Sequence, residues 1–163
     1  MAAALDVLQR RYGLARFVLV GWSFGGAPAF AVGGADARVV GCAAVASQTA
    51  GTEGIGKMSP RPVLLLHGRA DRMLGPACSE RLYAMYGAGG DRQVVFFEGD
   101  DHALTRNAGR AEEMLCEFVL KCAEVGIGEE ERRGVVEREV VKGEERVEAM
   151  KRGGDLRGGE SVE

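Results

Sequence analysis

A chain of 163 residues with 46% hydrophobic content is long enough for one domain with a buried core. Its net charge of -3 and pI near 5.6 give no electrostatic reason to expect a nucleic-acid or anionic-membrane partner. The charge is unevenly spread: residues 1–128 carry 13 Lys/Arg and 13 Asp/Glu, whereas residues 129–163 carry 8 and 11. The neutral part, residues 1–126, is therefore the expected domain, and residues 127–163 form a charged tail.

In chain order, residues 2–12 place Leu5, Leu8 and Tyr12 at helical spacing, with Arg10 and Arg11 in the last turn and Gly13 as the stop. Arg16–Val20 reads as a strand that runs into Gly21-Trp22-Ser23-Phe24-Gly25, and Ala27–Val32 as a short helix ended by Gly33-Gly34 and bent by Pro28. Arg38–Ala46 is apolar throughout, which suits a strand covered on both faces. Ser47–Arg61 lacks any periodicity and reads as a connection. Strands at Pro62–Leu66 and Gln93–Phe97 flank a helix at Pro76–Tyr86, and Leu104–Val125 carries the clearest helical spacing in the chain. Alternating helices and short apolar strands predict an α/β fold, a parallel sheet of about four strands flanked by helices, with any site at the strands' C-terminal ends. Beyond Gly128, 19 of the last 35 residues are charged. A mobile tail is expected there, with an exposed helix between about Glu129 and Lys151 as the alternative and a disordered end.

The N-terminal MAAALDVLQRR is interrupted by Asp6, Arg10 and Arg11, so no signal peptide is expected, and no stretch is long enough to span a membrane. Cys42, Cys78, Cys116 and Cys122 have no C-x-x-C spacing, and only His67 and His102 could join them. No metal site and no cofactor are implied. The cysteines read as reduced thiols of a cytoplasmic protein.

Three strands end in the residue types that nucleophilic catalysis requires. Ser23 follows the first strand, Asp71 the third and His102 the fourth. A serine hydroxyl needs an imidazole to take its proton, and the imidazole needs a carboxylate to fix its tautomer and stabilise its charge. G-x-S-x-G between a strand and a helix is the pattern of a nucleophile elbow, where a serine on a sharp turn demands small neighbours.

On the segments GWSFGG (21–26), LLLHGRAD (64–71) and FFEGDDHAL (96–104), the chain from Leu5 to Val125 resembles the α/β-hydrolase superfamily. The likeness is to lidless members such as dienelactone hydrolases, small carboxylesterases and prolyl-oligopeptidase-like catalytic domains. The resemblance implies a partial α/β-hydrolase fold in which Ser23 is the nucleophile, Asp71 the acid and His102 the general base. Phe24 N–H would be an oxyanion donor, and a small acyl substrate would be hydrolysed through an acyl-enzyme. The fifteen residues of Ser47–Arg61 leave no room for the lid that many members carry, so an open site is expected.

That family's sheet has about eight strands, and the loop after its third strand donates the second oxyanion N–H. This sequence starts at the helix before the elbow strand, so that loop is absent from it. An incomplete gene product, a truncated isoform and a chain that pairs with another subunit all fit. A catalytically inactive binding module, using the open sheet edge for self-association or subunit pairing, or using the tail, is the competing reading. Trp22 and Phe24 are candidates for lining the acyl pocket or for filling space. Asp100 and Asp101 compete with Asp71 as the acid, and His67 reads as packing or loop support.

Overall fold

The computed structural model describes residues 1–135. Its order is α1 (Ala2–Tyr12), β1 (Phe17–Trp22), α2 (Gly26–Ala35), β2 (Val39–Val45), β3 (Val63–Gly68), α3 (Ala77–Tyr86), β4 (Arg92–Phe97), α4 (Ala108–Ala123) and α5 (Glu129–Val135). Short 3₁₀ turns occur at Ser23–Gly25, Glu53–Lys57 and Thr105–Asn107. Helix α5 occupies the first residues of the segment expected to be a mobile tail, with an exposed charged helix as the alternative; the rest of that segment, residues 136–163, lies outside the described residues.

The four strands pair in parallel in the order β1-β2-β3-β4. Trp22 stands beside Val45, Val45 beside Leu66, and Gly68 beside Phe97, so all four C-terminal ends lie along one edge of the sheet. Sequential neighbours joined by helical crossovers put α2 and α3 on one face, while α4 returns across the other.

Side chains alternate between these faces. Cys42, Ala44, Val63 and Leu65 pack with Phe30 of α2 and Leu82 and Tyr86 of α3. Ala43, Val45, Leu64, Leu66 and Phe97 pack with Ala111, Met114 and Phe118 of α4. Double coverage explains why β2 and β3 are continuous apolar runs. Strand β1 is different: Phe17 to Leu19 are half-buried, Val20 is 48% exposed, and β2 is its one strand partner among the described residues.

Several boundaries depart from the sequence reading. Helix α2 is neither ended at Gly33 nor interrupted at Pro28. Pro28 occupies the first turn, where an N–H has no intrahelical acceptor to lose. Gly33 and Gly34 continue the helix because it packs closely there: a side chain on Gly33 would meet Cys42 and Met58, and one on Gly34 the backbone of Gly54. The Ser47–Arg61 connection is also more structured than expected, since Ile55 in its 3₁₀ turn and Met58 just after it are fully buried core residues. Helix α4 begins at Ala108, not Leu104, because Leu104 is left-handed (φ 53) and the segment before Ala108 is bound by carboxylates.

Candidate active site

Strand β1 delivers Ser23 to the sheet edge on a turn. Ser23 has φ 53, a left-handed conformation that costs a non-glycine residue about 1–2 kcal/mol and is tolerated where surrounding structure enforces it. The enforcement is visible at Gly21, where a Cβ would collide with the Gly25 carbonyl. Gly25 itself has open space around its Cβ position; the tight contact after the serine is at Gly26, against Ser47. The demand for small residues is thus met at positions 21 and 26 instead of 21 and 25.

Beyond β4, residues 98–107 are held by two carboxylates. Asp100, buried, accepts the N–H groups of Arg106 and Asn107 and the Asn107 side-chain amide. Asp101 accepts the N–H groups of Ala103 and Thr105 and the Thr105 hydroxyl. Both rivals for the acid position are committed to their own loop, and the buried His102 ring meets Asp71 instead.

The structure brings Ser23, His102 and Asp71 together. Ser23 Oγ lies 2.9 Å from His102 Nε2, and His102 Nδ1 lies 2.7 Å from Asp71 Oδ2. With Asp71 ionised, Nδ1 must donate, which leaves Nε2 as the acceptor for the serine hydroxyl. Asp71 Oδ1 accepts the N–H groups of Met73 and Leu74 at 2.8 and 2.9 Å. Burial alone would raise the Asp71 pKa, but hydrogen bonds from His102, His67 and the Leu74 N–H outweigh it, and the carboxyl is held well below its ordinary range.

His67 is buried, as its support reading requires, and it also reaches the acid. Its Nε2 faces two acceptors, the Leu74 carbonyl at 2.7 Å and Asp71 Oδ2 at 3.2 Å, so Nε2 carries hydrogen and a neutral ring accepts the Ser79 hydroxyl at Nδ1, 2.7 Å away. Trp22 is half-buried against the α4-side core, and its indole N–H donates to the His102 carbonyl at 3.2 Å. Phe24 is 71% exposed beside the serine. Among the described residues, no group of three or more His, Cys, Asp or Glu side chains is arranged to hold a metal ion, and all four cysteines are free thiols.

No protein-family model and no curated protein matches this chain. Solved structures do. Est1E from Butyrivibrio proteoclasticus is similar at 15% identity and a TM-score of 0.65, over 76% of this chain and 68% of that one. A monoacylglycerol lipase from Paleococcus ferrophilus is similar at 16% identity and TM-score 0.60, over 74% of each chain. The fold is that of the α/β-hydrolases. A dienelactone hydrolase-like promiscuous phosphotriesterase from metagenomic libraries shares it at 17% identity and TM-score 0.59, over 74% of this chain and 59% of that one. The chain thus spans part of the α/β-hydrolase fold, as its four-stranded parallel sheet indicates.

Sequence reasoning missed two contacts in this site. His67 and Asp71 are four positions apart across a tight turn after β3, and the histidine-glycine pair that begins this turn was the available signal. The Trp22 bond to a carbonyl 80 positions away had none.

Proposed function

We propose that the chain is a serine hydrolase that cleaves an ester, thioester or related acyl bond through a covalent Ser23 intermediate. The observation that carries this reading is the unbroken relay Ser23 Oγ, His102 Nε2, His102 Nδ1, Asp71 Oδ2, with links of 2.9 and 2.7 Å. In the first half-reaction Ser23 Oγ attacks the acyl carbon as His102 Nε2 takes its proton. The leaving alkoxide or thiolate receives that proton as the acyl–Ser23 ester forms. In the second, His102 takes a proton from water, hydroxide attacks the ester carbon, and the proton returns to Ser23 as the acid is released. Asp71 stabilises the imidazolium of each step. Phe24 N–H is assigned to the oxyanion, with Trp22 and Phe24 as candidate acyl-pocket walls.

The short Ser47–Arg61 connection, which turns Ile55 and Met58 into the core, supports an open site for small soluble or flexible acyl substrates. Four free thiols fit a cytoplasmic setting, and no described helix is long and apolar enough to cross a membrane. The edge of β1, which pairs with no further strand among the described residues, supports self-association or subunit pairing as part of this reading. A fluorophosphonate probe tests the chemistry: the full chain should be labelled, and Ser23→Ala should abolish labelling. Absence of labelling on folded protein overturns the hydrolase reading in favour of a binding module.

A further inference from the structure

Trp22 is the sole tryptophan in the chain, and it immediately precedes Ser23. Its indole N–H donates to the His102 carbonyl at 3.2 Å, and its ring centroid lies 5.6 Å from that of His102, the planes tilted by 38°. One residue therefore grips the histidine by its backbone and flanks its ring, while being covalently joined to the serine.

We infer that Trp22 is a positioning residue for His102, an inference that rests on the Ser23–His102–Asp71 reading above. The imidazole is held at Nδ1 by Asp71 and at Nε2 by Ser23. Once Ser23 Oγ is acylated it has no proton to donate, and the second hold is lost just when Nε2 must aim at water. The Trp22 bond is independent of the acylation state, so it keeps the loop carrying His102 in place through the second half-reaction. Because Trp22 moves with Ser23, any shift of the elbow carries the grip with it. The indole also lies within cation–π reach of the charge that His102 gains in each transition state.

Trp22→Phe keeps an aromatic ring and removes the N–H, whereas Trp22→Leu removes both. With p-nitrophenyl acetate, kcat should fall about tenfold for Trp22→Phe, near the loss of one neutral hydrogen bond, and further for Trp22→Leu, with KM within about twofold. Unchanged kcat overturns the inference; so does a raised KM with kcat preserved, which is the signature of a pocket wall.

A second readout needs no turnover. At one fixed pH, Trp22 emission in the wild-type chain should be shifted in intensity relative to that of His102→Gln, because the imidazole lies 5.6 Å from the indole. Identical emission from the two folded chains overturns the contact. A wild-type chain that hydrolyses no ester defeats the hydrolase reading, while the emission comparison still decides whether Trp22 senses His102.

Discussion

The carboxylate of Asp71 is shared among four donors, two backbone amides on Oδ1 and two imidazoles on Oδ2. Its depressed pKa has a definite sign for stability. A carboxyl that ionises more easily folded than unfolded contributes stability above its ordinary pKa of about 3.9, and that contribution is lost as pH falls through the folded value. Asp71→Asn should therefore flatten the acid limb of a melting-temperature profile against pH. It should also lower esterase kcat by roughly 10⁴, since an amide oxygen cannot match the carboxylate in stabilising the imidazolium. Asp100→Asn should do the opposite: it weakens four hydrogen bonds within its loop and costs about 1–3 kcal/mol in denaturant unfolding, while kcat stays within severalfold. If Asp100→Asn instead removes activity and Asp71→Asn does not, the acid has been misassigned. At this scale the sequence showed which residue types follow which strands. It did not show that His67 donates to the same oxygen as His102, because that contact depends on the turn geometry of residues 68–74.

The elbow is an element whose shape is enforced from one side more than the other. Gly21→Ala would drive a Cβ into the Gly25 carbonyl and should cost about 3 kcal/mol or more, because backbone cannot yield as a side chain does. Gly25→Ala meets open space in a right-handed conformation and should change stability by no more than about 0.5 kcal/mol. Chemical denaturation of the two variants checks the contrast, and equal losses would refute it. Both glycines belong to one motif, so spacing alone treats them alike. The strands were legible because burial on two faces leaves apolar runs, and α1 was legible from its apolar spacing and Gly13, which is left-handed as a stop should be. The ends of α2 and the start of α4 were not. They are decided by packing against Gly54 and by the carboxylates of Asp100 and Asp101, which no local pattern encodes.

At the scale of the molecule, the sheet is covered on both faces but, among the described residues, open along β1. Val20 is half-exposed there and points to no core cluster, so Val20→Lys should leave folding intact while blunting the edge. Sedimentation equilibrium should show the wild-type chain gaining mass with concentration and the variant remaining lighter. Identical masses at every concentration would remove this edge from self-association. The fold class followed from alternation of element types, whereas the exposure of β1 depends on which strand pairs with which.

Chain order along the sheet also constrains when the relay exists. Ser23 and His102 are 79 positions apart and belong to opposite margins of the sheet, so their 2.9 Å contact requires β2 and β3 to be seated between them. No local substructure can hold that pair. Serine reactivity is therefore a gauge of cooperativity: labelling by a fluorophosphonate should disappear at the same urea concentration as the sheet itself, with no reactive intermediate before it.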